Sequence, residues 1–102
     1  MDPEVAKLVA AETRLREVIR SIVKRRVAPG NCLSWRMMFE IEQEAISQLE
    51  EDPQLDFHYV NMMASPSAQR RPDGEEPSGL NGAYPLHTAL WMIQEAFYHD
   101  RR

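Results

Sequence analysis

A single cysteine, Cys32, in 102 residues excludes an intrachain disulfide. No stretch approaches the roughly 18 consecutive apolar residues of a membrane-spanning helix, and no Asn-X-Ser/Thr glycosylation acceptor occurs. The chain has only four glycines: one follows the first helical segment and three fall between residues 64 and 83. They form no Gly-rich phosphate-binding loop. The acidic Met1-Asp2-Pro3-Glu4 start lacks the basic segment and apolar run of a signal peptide, so a cytoplasmic chain with no membrane partner is expected.

The composition is 43% hydrophobic and 27% charged, as in ordinary globular proteins. At this length one domain spanning residues 1–102 can bury a core without metal or disulfide staples. The net charge of −4 is unevenly spread: residues 1–30 carry +3, residues 31–60 carry −6 and residues 61–102 carry −1. A basic first segment followed by an acidic second one is most simply internal complementarity between neighbouring helices. The sharper alternatives are a basic face for nucleic acid and an acidic face for a basic partner.

The apolar spacing predicts an all-α fold: a compact bundle of three main helices and a short fourth, with a long irregular loop before the last helix. Helices are expected at about 3–27, 33–51, 53–63 and 84–100, and the loop at about 64–83. Asp2-Pro3 supplies a capping oxygen and then a residue whose missing N–H costs nothing in the first turn. Leu8, Ala11, Leu15, Val18, Ile19 and Ile22 form the first stripe, with Val5 and Val23 at its edge. Lys24, Arg25 and Arg26 suit the negative end of the helix dipole, and Pro29-Gly30 stops the helix. The third segment also fits a strand, by the alternation of Leu55, Phe57 and Tyr59. Asp52-Pro53 as a helix start, and the lack of a second strand, favour the helix. The 64–83 stretch is rich in Pro, Gly and Ser and has no apolar run, which predicts a mobile segment.

The second helix has an unusually wide apolar arc that includes Trp35, Met37, Met38, Phe39, Ile41, Ala45, Ile46 and Leu49, and Glu42 projects into its middle. A buried carboxylate must be paired, neutralised or hydrogen-bonded. The simplest expectation is a partner from the first helix, where Arg26 similarly falls within the apolar stripe. The alternatives are an edge position reaching water and a carboxylate offered to a binding partner. Of the five internal methionines, Met37-Met38 and Met62-Met63 are adjacent pairs, and a helix does not easily point both members at one core.

Residues able to carry chemistry are sparse. His58, His87, His99 and Cys32 follow no metal-ligand spacing, and Glu95 with His99 makes at most a four-residue pair. No metal or other cofactor is expected. Cys32 lacks a companion base in any recognised pattern and reads as a small, half-buried structural residue. No catalytic residue is predicted, and the chain is not expected to be an enzyme.

Aromatic placement is more informative. On the last helix Leu86, Leu90, Ile93 and Phe97 mark the core stripe, whereas Tyr84, Trp91 and Tyr98 recur every seven residues on another face, with His87 beside them. They are either a second buried face or a contact stripe, since Trp and Tyr dominate interface hot spots. The expectation is a small non-enzymatic protein-interaction module: an adaptor, inhibitor or accessory factor. It would bind another protein or an identical subunit through Tyr84, His87, Trp91, Tyr98, Trp35, Phe39 and Glu42. The alternative is a helical nucleic-acid binder using Lys7, Arg14, Arg20, Lys24 and Arg25, expected to gather on one side of the first helix.

Overall fold

A computed structural model describes residues 2–28, 30–65 and 88–99. Four helices are present among them: α1 (Pro3–Arg26), α2 (Trp35–Glu50), α3 (Phe57–Met63) and α4 (Thr88–Tyr98), and no strand. The helical expectation therefore holds for residues 57–63. The loop expected at 64–83, from residue 66 onward, and the first turn expected for the last helix lie outside the described residues.

Side chains cap three of the helix starts. Asp2 accepts a hydrogen bond from the Glu4 N–H at 2.9 Å, Ser34 from Met37 at 3.1 Å and Asp56 from His58 at 3.0 Å. Each cap satisfies a donor that the helix itself leaves open, for typically about 1 kcal/mol. Asp52 does not start α3. Its carboxylate accepts instead from the Gln54 N–H at 2.9 Å, closing a turn, and α3 begins four residues later behind Asp56. At seven residues α3 is too short to persist through propensity alone, and Val60 and Met63 hold it in the core. At the other end of the bundle Gly30 takes φ +90°, a left-handed conformation that favours glycine, in the connection from α1 to α2.

The helix α1 is central: it packs against α2, α3 and α4, while α2 also meets α3 and α4. Its buried residues are Ala11, Leu15, Val18, Ile19, Ile22 and Val23, so Val23 belongs to the core rather than to its edge. Val5 is exposed, and Leu8 half-buried. The wide apolar arc of α2 divides into two parts. Met38, Ile41, Ala45, Ile46 and Leu49 are buried, whereas Trp35 and Phe39 remain at the surface. In each methionine pair one member, Met38 or Met63, is buried and its neighbour is half-buried.

The charge asymmetry of the sequence is used internally. At the end of α1, Arg25 pairs with Glu44 of α2, and Arg26 reaches Glu40 at 3.2 Å and Glu44 at 3.7 Å. On the opposite flank Arg16 meets Glu95 of α4 at 2.8 Å. These pairs are partly solvated and contribute modestly to stability. Their chief effect is to fix which flank of α1 faces which neighbour.

Candidate functional site: an aromatic surface across α2 and α4

On α4, Ala89, Leu90, Met92, Ile93 and Ala96 are buried. Trp91 and Tyr98 project from the other side, 64% and 55% exposed. A seven-residue interval is about 700°, nearly two full turns, so the two rings share a face about 10 Å apart along the axis. They are not a second buried face. Tyr84 and His87, the other members of the expected row, lie outside the described residues.

Trp35 and Phe39 stand one turn apart on α2, with ring centroids 6.2 Å apart, and are 64% and 40% exposed. Packing of α2 on α4 brings Trp35 to Tyr98: Leu33, Trp35, Met38, Gln94 and Tyr98 line one recess of about 210 Å³. On the far side of Phe39 a second recess of about 660 Å³ is lined by Arg26, Arg36, Phe39, Glu40 and Gln43. The result is an aromatic ridge between two depressions, built from segments sixty residues apart in the chain. Trp35, Phe39, Trp91 and Tyr98 are each left 40–64% in solvent, and large aromatic rings of this kind are what protein contacts most often bury.

Glu42 does not belong to this surface. Its side chain is fully buried, and its two carboxylate oxygens accept hydrogen bonds from the Ser65 N–H and the Ser65 hydroxyl, both at 2.7 Å. The partner is thus not Arg26, whose guanidinium extends to Glu40 and Glu44 at the rim of the α1–α2 contact. A long arginine stem can start in an apolar stripe and still carry its charge outward. Buried and doubly bonded, Glu42 is a structural carboxylate rather than one offered to another molecule. Sequence periodicity had no means of finding Ser65, because the bond joins a helix to the residue two beyond the end of α3.

The five candidate nucleic-acid contacts do not form one face. At about 100° per residue, Lys7, Arg14 and Arg25 share a flank of α1, while Arg20 and Lys24 lie about 100–140° round from it. Arg14 is engaged with Glu17 at 3.2 Å and Asp52 at 3.7 Å, and Arg25 with Glu44. Lys7 and Lys24 have no ion pair among the described residues. Lys7 and Lys24 lie about 100° apart round the axis of α1, on a protein of net charge −4.

Cys32 is exposed, not half-buried, because it precedes the Ser34 cap and so lies outside the helix whose face would have covered it. It makes no hydrogen bond among the described residues. Glu95 is taken up by Arg16, which removes it from a ligand pair with His99. Among the described residues no three His, Cys, Asp or Glu side chains converge as a metal site would require, and no helix is long and apolar enough to cross a membrane. No protein-family model, curated protein or solved structure matches the chain.

Proposed function

We propose that the protein is a small non-enzymatic interaction module, acting as an adaptor, inhibitor or accessory factor through the aromatic surface shared by α2 and α4. The observation that carries this proposal is that Trp35 and Tyr98 line one recess outside the core, with Phe39 packed on Trp35 and Trp91 two turns from Tyr98 on the same face of α4. Tryptophan and tyrosine offer large, stiff contact areas and are over-represented among residues that dominate binding energy. A partly polar rim of Gln43, Gln94, Arg36 and Glu40 beside such rings is the usual anatomy of a protein contact. The partner is another protein or an identical subunit. The cytoplasm is proposed as its compartment; among the described residues no helix is long and apolar enough to cross a membrane.

Nucleic-acid binding through α1 has less support, since Arg14 and Arg25 are already neutralised by carboxylates of the same chain. The test is capture from the native host with parent, Trp35→Ala and Trp91→Ala chains, alongside molar mass by light scattering. A folded variant that loses a partner retained by the parent is the expected result. Variants that bind everything the parent binds would remove the aromatic surface as the functional one.

A further inference from the structure

Among the described residues Glu42 is the only charged side chain taken fully out of water. Its two bonds from Ser65 explain how the carboxylate is tolerated. They do not explain why an apolar residue is not there instead, since exchanging a buried polar pair for well-packed apolar groups is often neutral or stabilising. The neighbouring helix supplies a reason. Of the seven residues of α3 only His58 is exposed; Val60 and Met63 are fully buried, and Phe57, Tyr59 and Met62 are half-buried. At about 100° per residue its apolar side chains cover about 220° of the helix circumference, more than one contact face requires. Turned by a single residue's angle, α3 would bury Tyr59 and Met62 where Val60 and Met63 now sit. Apolar burial is non-directional and discriminates weakly between two such arrangements. Cores specified by apolar packing alone lose uniqueness before they lose stability.

We propose that the Glu42–Ser65 pair is a register lock, which selects the rotation of α3 that buries Val60 and Met63 over the one that buries Tyr59 and Met62. Ala64, between Met63 and Ser65, packs with Ile46 and Phe57. Ile46 and Glu42 are one turn apart on α2, so residues 64 and 65 are held at two successive levels of that helix. The N–H and the hydroxyl of Ser65 reach separate oxygens of one carboxylate, each at 2.7 Å, and both can do so only with Ser65 at one height and one angle beside position 42. Turning α3 by about 100° moves each of its Cα atoms by about 3.5 Å, on a radius of about 2.3 Å, and carries Ser65 out of hydrogen-bond range. The alternative rotation then leaves a fully buried carboxylate short of donors, which is costly. A satisfied polar pair in a core thus penalises the wrong arrangement, whatever it adds to the right one.

Amide and methyl NMR spectra of the full chain, with melting of each variant, test the lock. The parent should give one set of amide signals for residues 57–65, with Overhauser contacts from Val60 and the Met63 methyl to the core. Glu42→Met combined with Ser65→Ala makes the pair apolar at similar volume. This double variant should stay folded and melt above Ser65→Ala alone, because no buried acceptor is left short of a donor. Its α1, α2 and α4 core signals should hold their positions, while the amides of 57–63 double or broaden and a second form shows the Met62 methyl against the core. Glu42→Gln is the control: an amide accepts from the Ser65 N–H and donates to the hydroxyl oxygen, so the geometry survives without the charge and a single parental set is expected. A double variant with one sharp set and the parental Val60 and Met63 contacts overturns the inference, because apolar packing then selects the rotation unaided. A double variant that unfolds as a whole overturns it too, since the pair would then be required for folding itself. Two forms of α3 in the parent, or in Glu42→Gln, would equally end it.

Discussion

Ser65 gives both of its donors, backbone N–H and hydroxyl, to the two oxygens of the buried Glu42 carboxylate, each at 2.7 Å. A carboxylate in the middle of α2 is thereby made compatible with the core, and the chain leaving α3 is fastened to α2. Glu42 is fully buried, and a buried acceptor left short of donors is costly.

Ser65→Ala should therefore lower unfolding stability by roughly 1.5–3 kcal/mol, although it deletes one oxygen atom. Glu42→Ala should cost at least as much, by adding a cavity. A double-mutant cycle measured by urea unfolding should show clear coupling between the two positions. Additive effects would mean that the pair is not the unit described here.

Trp91→Ala separates contact from core on α4. With the ring largely in solvent, the change should move folding stability by no more than about 0.5–1 kcal/mol, the range of ordinary surface substitutions. Association with a partner should weaken by roughly 2 kcal/mol or more. Alanine is the best helix former, so helix propensity does not oppose the change. A melting temperature far below the parent's would place the indole in the core instead.

The buried side of the same helix gives the reciprocal expectation. Ile93 is fully buried in the cluster that includes Leu15 and Ile19 of α1 and Ile41 of α2. Ile93→Ala should cost about 2–5 kcal/mol through lost transfer energy and a residual cavity. Thermal or chemical denaturation of this variant beside Trp91→Ala should rank the two oppositely for stability and for binding.

The Arg16–Glu95 pair joins α1 to α4 at 2.8 Å, with both side chains partly in water. Arg16→Ala should cost less than about 1 kcal/mol, an effect that shrinks in high salt, because exposed ion pairs are screened and held at an entropic cost. A larger loss would show that the pair is shielded from solvent.

Nonspecific DNA or RNA titrated at low ionic strength should show no steep salt-dependent binding. The net charge is −4 and the cations of α1 are divided between two flanks. A strong inverse dependence of affinity on salt would revive the nucleic-acid alternative.

The residues that form each helix were legible in the sequence because helicity and its apolar stripe are local. Asp2-Pro3 starts α1 as its chemistry dictates, and Ala11, Leu15, Val18, Ile19 and Ile22 point inward at the 3.6-residue period. The basic first segment and the acidic second one pointed to complementarity between neighbouring helices, and Arg25 and Arg26 on Glu40 and Glu44 supply it, although the sequence had pointed Arg26 at Glu42. The same period placed Glu42 among apolar neighbours without saying what faces it. A helical wheel gives direction, and the opposing atom belongs to whatever the rest of the chain puts there, here Ser65. The start of α3 was misplaced because Asp52 and Asp56 are both good caps, and packing of Val60 and Met63 decides between them. Above all, the wide arc of α2 and the aromatic row of α4 each signalled a surplus of apolar surface, but only the tertiary structure sorts that surplus. A helix buries the stripe that meets its neighbours, and α2 on α4 leaves Trp35, Phe39, Trp91 and Tyr98 outside that contact. Trp35 and Tyr98 then line one recess because α2 packs on α4 there, a relation that no local pattern contains.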